Sequence, residues 1–269
     1  MPALRTIALT MAAMLAFAAN SILCRLALAQ GSIDPASFGS LRLVSGALTL
    51  ALVLRLRSTP AGAPVRGDWL AAAMLFAYVA CFSFAYLSLP AGTGALVLFG
   101  AVQITMLSVG WRAGESFGGW GWVGFVLAVG GFVGLVAPGV NAPAPLGAAL
   151  MAAAGVADPL AATAGNFMRA APLALMLSLA LALNAHADAR GAWLAVVSGA
   201  VTSGLGYVIW YAALPGLGAL RAATVQLSVP LIAALGGVLL IAETPTLRLG
   251  LAGIAILGGI ALVLLSKQR

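Results

Sequence analysis

The sequence predicts an all-α membrane protein, and three observations carry that prediction. The 269-residue chain is 63% hydrophobic and 7% charged, with a mean hydropathy of +1.11. A soluble domain carries about 25% charged residues, so there are too few charges here to cover a water-facing surface. Apolar runs recur at about 20 residues, the length that crosses the hydrocarbon core of a bilayer. The runs do not alternate with period 2, and backbone in lipid must satisfy its own hydrogen bonds, which selects helices over a barrel.

With short connections the chain has room for roughly nine to eleven spans. The candidates are residues 6–29, 35–54, 68–87, 92–110 and 118–136. After a doubtful stretch at 146–160 come a segment ending near Leu183 and the spans 191–213, 218–241 and 246–265. Each break carries turn chemistry: "QGSIDP", "RLRSTPAGAPVRGD", "LPAGTG", "APGVNAPAP", "NAHADARG", "LPGLG" and "ETPT". Trp69, Trp111, Trp120, Trp122 and Trp193 fall at span ends, where amphipathic rings favour the headgroup level. The N-terminal run is too long for a signal peptide and reads as the first span.

The net charge is +7, from thirteen basic residues of which Lys267 is the single lysine. In a membrane protein such an excess orients the chain and does not imply nucleic acid. With the N-terminus in the cytoplasm and ten crossings, the inside holds Arg5, Arg55, Arg57, Arg66, Arg112, Arg221, Lys267 and Arg269. Arg25, Arg190 and Arg248 lie toward outside ends, while Arg42 and Arg169 lie within helical segments. Cys24 and Cys81 sit in apolar segments without pair spacing and read as buried, inert thiols.

The halves of the chain echo each other. "YLSLPAGTGALVLFGAVQ" is matched by "YAALPGLGALRAATVQ"; Glu115 precedes Gly130-Gly131 by fifteen residues, as Glu243 precedes Gly258-Gly259; Asp34-Pro35 leads to Arg42, as Asp158-Pro159 leads to Arg169. The pattern predicts two repeats, residues 1–140 and 141–269, of five transmembrane helices each. An odd number of spans per unit inverts the second copy in the membrane, a recurrent transporter plan that places the substrate site near the midplane. The stretches "ANSILCRLAL", "DPASFGSLRLVSGALTL" and "GYVIWYAALPGLGALRAATVQLSVPLIAALGGVLLIAETPTLRLGLAGIAILGGIALVL" resemble the EamA-type branch of the drug/metabolite transporter superfamily. The resemblance covers nearly the whole chain and is strongest from Gly204 onward. It implies ten helices in two inverted bundles around a central cavity, and export of small metabolites such as amino acids or related compounds.

The doubtful stretch is "LGAALMAAAGVADPL". It meets Asp158-Pro159 after a dozen residues, where the resemblance implies a complete sixth helix, so that helix is shortened. Either it stops at mid-depth with Asp158 facing a wet cavity, or residues 146–184 form two thin spans turning near Ala164-Gly165-Asn166 and kinking at Pro159.

The candidate substrate pathway follows from polar and aromatic groups inside spans. A buried Arg needs a partner or water. Arg25, after Asn20-Ser21 on the same helix, is the better carboxylate dock, because a guanidinium fork matches two oxygens. As structural readings, Arg42 pairs with Asp34 or a helix-end carbonyl and Arg25 snorkels outward, with Asp158 and Arg169 as the matching charge pair. Gln103 and Gln226 occupy equivalent positions in the two units and serve either as interhelical glue or as recognition groups; Asn20 is weighed the same way. Tyr78, Tyr86, Tyr207, Trp210 and Tyr211 lie on the third helix of each unit. Of these, Tyr78, Tyr207 and Trp210 join the candidate pathway. Pro230 reads as a mid-span kink, Gly130 and Gly134 as a GxxxG packing pair, and His186 as a solvated loop residue.

The chain has no Walker A, GxSxG, HExxH or CxxC pattern. No enzyme activity, cofactor or metal is expected. The expected partners are a small-molecule substrate and the lipid bilayer, with the oligomeric state left open. The function these readings predict is secondary transport by alternating access. A transport-inactive protein of the same fold, disabled by the short sixth helix, is the alternative.

Overall fold

The computed structural model describes residues 2–56, 68–112, 118–137, 144–157, 164–217, 222 and 225–266. Among them are ten helical rods and no strand, only an isolated bridge between Ile33 and Ala187. The rods are α1 (Pro2–Ala29), α2 (Pro35–Leu56), α3 (Trp69–Ala85), α4 (Ala91–Arg112), α5 (Gly119–Val136), α6 (Pro145–Ala157), α7 (Ala164–Ala180), α8 (Ala189–Gly216), α9 (Ser228–Ile241) and α10 (Leu247–Ser266). The all-α prediction therefore holds. Asp158, with Arg57, Arg66, Glu115, Arg221, Lys267 and Arg269, lies outside the described residues.

Three aspartates fix where helices begin. Asp34 Oδ1 accepts from the backbone N–H groups of Ala36 and Ser37 at the start of α2, at 3.0 and 2.9 Å. Asp68 caps α3 through Ala71, and Asp188 caps α8 through Gly191. Each carboxylate satisfies an orphan donor and sits at the positive end of a helix dipole. The opposite device ends α5: Arg248, in the first turn of α10, donates to the carbonyls of Gly134 and Ala137.

Successive rods run antiparallel. The start of α1 lies against the end of α8, where Gly216 abuts Thr6; this is called the near face below. On the far face Gly191 packs on Ser32, and Asp34 N–H donates to the His186 carbonyl. The 145–180 region is resolved by the same reasoning. Gly147 at the start of α6 packs on Ala85, Ser88 and Leu89 at the far end of α3. At the start of α7, Asn166 Oδ1 accepts from the Asp68 N–H and Arg169 lies over Trp69, both at the near end of α3. So α6 and α7 are two antiparallel helices. At 13 residues α6 is about 20 Å long, well short of a hydrocarbon core of about 30 Å. Ala164-Gly165-Asn166, expected as a turn, is the buried first turn of α7.

Packing corrects two further expectations. A Cβ on Gly130 or Gly134 would meet nothing within 4 Å, whereas one on Gly124 would lie 2.5 Å from the Gly259 carbonyl oxygen and one on Gly131 2.7 Å from Ala255 Cβ. The glycines that bring α5 and α10 together are thus Gly124, Gly131 and Gly259. Pro230 lies in the first turn of α9, where its missing N–H costs no helical bond. Leu15, Leu48, Val126, Leu239 and Ile254 point outward, while Asn20, Arg42, Gln103, Thr202 and Ser203 are buried. The polar groups are gathered at the bundle centre.

Candidate functional site

The central cavity lies where α1, α2, α3, α4 and α8 converge. Phe17, Asn20 and Ser21 come from α1, Arg42 from α2, Tyr78 and Phe82 from α3, and Leu98, Phe99 and Val102 from α4. Thr202, Ser203, Tyr207 and Trp210 come from α8, and Gln226 lies just ahead of α9. The cavity encloses about 60 Å³, space for several waters. Of the expected pathway residues, Asn20, Tyr78, Tyr207, Trp210 and Gln226 all line it. Gln103 is buried on α4 next to the lining residue Val102, and its Nε2 has no hydrogen-bond partner among the described residues.

Local structure on α8 builds one wall. The rod is α-helical over Ala189–Val197, opens into a π-helix over Ser198–Leu205 and returns to α over Gly206–Ala213. A π segment widens the helix and re-aims its side chains, and such segments are frequent at functional sites. Here it presents Ser198 and Thr202, whose hydroxyls donate to Asn20 Oδ1 at 2.6 and 3.2 Å, and Ser203, which meets Arg42. The small residues of "SGAVTSG" admit this approach; a side chain on Gly199 would strike Ser45 and the Arg42 carbonyl. Sequence reasoning passed over these serines and the threonine, for which the small-polar run was the available signal.

Arg25 is held in an ion pair, and Arg42 lies on the cavity. Arg25 does not line the cavity. Its Nε donates to Glu243 Oε1 at 3.2 Å and its Nη1 to the carbonyls of Tyr86 and Leu87 at 3.0 and 3.1 Å. Glu243 also accepts from the Ala91 N–H with both oxygens, at 3.1 and 2.9 Å. One ion pair therefore ties α1, the α3–α4 turn and the α9–α10 turn together on the far face, one helical turn beyond Ser21.

Arg42 does not pair with Asp34, whose carboxylate is committed to the α2 cap and to the His186 N–H. Arg42 is 2% exposed, and its guanidinium lies over the Phe82 and Tyr78 rings at 4.8 and 5.3 Å. Its Nε donates to Ser203 Oγ at 3.1 Å and its Nη2 to Tyr78 Oη at 3.3 Å, while Nη1 has no partner among the described residues. Arg169 stays away from the cavity: its Nη1 donates to the Gly165 carbonyl and the guanidinium rests 5.9 Å from the Trp69 ring. Tyr86 is buried above the cavity and donates to the Ala91 carbonyl, and Tyr211 stacks on Tyr207 at 6.3 Å. His186 is exposed; its backbone N–H, not its ring, serves the far face by donating to Asp34. Among the described residues no group of three or more His, Cys, Asp or Glu side chains is placed to hold a metal.

Ten apolar helices around a polar central cavity define a multi-pass membrane protein with a site for a small solute. Comparison with known proteins names its kind. Residues 146–265 match the model of the EamA-like transporter family. An uncharacterized protein of Pseudomonas aeruginosa is 53% identical, over 98% of this chain and 96% of its own. A protein of known crystal structure shares the fold with a TM-score of 0.69 at 18% identity, over 98% of this chain and 99% of that one. The chain belongs to the EamA-like transporter family, within the drug/metabolite transporter superfamily.

Proposed function

We propose that the protein is a secondary, non-ATP transporter that exports small metabolites, such as amino acids or related compounds, across a cytoplasmic (inner) membrane by alternating access. The observation that carries this reading is the central cavity with a buried cation at its wall: an ionisable group inside a membrane bundle marks a solute path. Two inverted units, 1–140 and 141–269, supply the moving parts. In support, helices five apart in order pack on each other: α2 with α7, α4 with α9 and α5 with α10. On this plan the near face, and with it both ends of the chain, is cytoplasmic. The Arg25–Glu243 bridge then closes the cavity on the far side in the state described, and it must open for release.

Energy coupling follows from what the cavity lacks. Asp34, Asp68 and Asp188 cap helices and Glu243 holds Arg25, so no described carboxylate lines the cavity. Proton-driven carriers keep a titratable group on the path, and the reading here is facilitated efflux down a gradient. The transport-inactive alternative rested on a damaged cavity wall. No described α6 residue lines the cavity, and α6 packs instead against α3 and α4. The test is counterflow in proteoliposomes of the purified chain, with a panel of labelled amino acids and their 2-oxo acid counterparts. Saturable exchange of at least one, persisting without a pH gradient, is expected. Absence of any saturable flux would leave an EamA fold that moves none of these compounds.

A further inference from the structure

Within that transport reading, on which this inference rests, we propose that the cavity narrows the choice from amino acids to the related organic monocarboxylates that lack the ammonium group, with the carboxylate seated on Arg42. The argument begins with charge. Arg42 is buried and touches no described carboxylate, and Asp34, at the start of the same helix, is spent on a helix cap. A buried cation without an anion is costly unless something neutralises it. Three of its surroundings are neutral groups that position it: Ser203 Oγ on Nε, Tyr78 Oη on Nη2, and the aromatic faces of Tyr78 and Phe82. The remaining nitrogen, Nη1, is buried without a partner among the described residues, on a side chain that lines the cavity. A charged donor left open in a low-dielectric site is matched by an oxyanion, and guanidinium binds carboxylate with charge-assisted hydrogen bonds.

The same wall disfavours the ammonium of an amino acid. A zwitterion brings a second cation to the neighbourhood of Arg42 and leaves the site's net charge uncancelled. No described acidic side chain lines the cavity to receive it. Asn20 Oδ1, the amide oxygen deepest on α1, already accepts from Ser198 and Thr202, and the faces of Tyr78 and Phe82 are taken by Arg42. Ser21, Tyr207 and Gln226 are neutral polar groups that bring no negative charge to offset an ammonium, and the rest of the lining, Phe17, Leu98, Phe99, Val102 and Trp210, is apolar or aromatic. That composition suits an uncharged hydrocarbon or aromatic body attached to the carboxylate.

Matched pairs that differ only at the α-carbon test the proposal. The full chain in nanodiscs is titrated with pyruvate against alanine, and with phenylpyruvate against phenylalanine, by calorimetry. Phenethylamine serves as a cation control. The expected result is at least tenfold tighter binding of each 2-oxo acid than of its amino counterpart, and no binding of phenethylamine. Arg42→Gln should lose at least tenfold in phenylpyruvate affinity. Arg42→Lys should lose part of it, and Ser203→Ala, which withdraws one positioning contact, should fall between wild type and Arg42→Gln. Equal or tighter binding of the amino acids, binding of none of the five probes, or phenylpyruvate affinity unchanged in a folded Arg42→Gln would each overturn the proposal. Should Arg42→Gln not fold, the wild-type pairs decide alone. Counterflow separates the two readings: phenylalanine exchanged and phenylpyruvate not leaves a transporter with a different substrate, whereas phenylpyruvate bound at Arg42 but never exchanged removes transport and keeps the site.

Discussion

Asp34 shows how one carboxylate can be lost to a charge pair by being useful elsewhere. Its oxygens take the N–H groups of Ala36, Ser37 and His186, joining the α1–α2 turn to the segment before α8. Burial works against ionisation there, but the hydrogen bonds from the Ser37 side chain and backbone, His186 and Ala36 outweigh it and hold the carboxyl below its ordinary 3.8. The sign follows directly. A depressed folded value stabilises the protein above the unfolded value near 3.8, and the contribution disappears as pH falls through the lower folded value. Asp34→Ala should therefore lower stability at neutral pH by about 1–2 kcal/mol, the worth of a helix cap. Asp34→Asn should keep much of the cap and flatten the acid limb of the denaturation midpoint, measured in detergent from neutral to acid pH. At the same scale, Arg25→Gln removes the far-face bridge to Glu243. In a chain lacking Cys24 and Cys81, a cysteine at Ser21 should then react with a far-side thiol reagent several-fold faster than with Arg25 intact. Equal rates would mean that the bridge is not the closure. The sequence offered both arginines as polar intruders but not their partners. Proximity along α2 favoured Asp34 for Arg42, while "DP" ahead of a helix also spells an N-cap followed by proline at N1. The cap won because backbone donors at the helix start are fixed in place, and Arg42, two turns further on, faces the bundle centre.

At the level of elements, α5 and α10 meet through glycine, and the contact makes a sharp contrast. Gly124→Ala puts a Cβ 2.5 Å from the Gly259 carbonyl oxygen, so the helices must part; about 1–3 kcal/mol of stability should be lost, the cost of overpacking a tight contact. Gly130→Ala and Gly134→Ala, which meet nothing within 4 Å, should leave the thermal midpoint unchanged or raised. The spacing rule for small residues picked the wrong pair because α5 carries glycines on more than one face, and periodicity within one helix does not tell which face its partner takes. The π segment of α8 was illegible for a related reason. Its extra residue per turn is set by how Asn20 and Arg42 receive Ser198, Thr202 and Ser203, contacts that join residues more than 150 positions apart. By contrast, helix positions and turns were legible almost throughout, since apolar runs closed by Gly, Pro and Asp are local signals. Five of the proposed pathway residues lie on the cavity for the same reason: a polar or hydroxylated group inside a lipid-facing rod has nowhere to go but the centre.

The whole molecule is a chain that reverses direction at every described connection, so the start of α1 and the end of α10 lie on one face. That outcome depends on α6 and α7 being two helices, because a single rod there would flip α8, α9 and α10. The contacts fix it at both ends. Gly147 meets the far end of α3, Asn166 meets Asp68 and Arg169 meets Trp69 at its near end, and Ser40 at the start of α2 bonds Ser178 at the end of α7 at 2.6 Å. The short α6 packs on α3, itself only 17 residues long, and thin spans are met by local bilayer thinning and flanking residues at modest cost. Charge agrees with this topology where it is described: Arg5, Arg55 and Arg112 lie toward the near face, and Arg190 and Arg248 lie on the far face, held by Gln30 and by the end of α5. Single cysteines in a cysteine-less chain test the arrangement directly. Cysteines replacing Arg5, Arg112 and Ser266 should react with an impermeant maleimide only from the side that holds the N-terminus, the cytoplasmic side in the proposed topology. Cysteines replacing Gln30, Ala187 and Thr246 should react only from the other. If Ser266 labelled with the second group while Arg112 stayed in the first, an odd number of crossings would lie between them and the inverted five-plus-five plan would be lost.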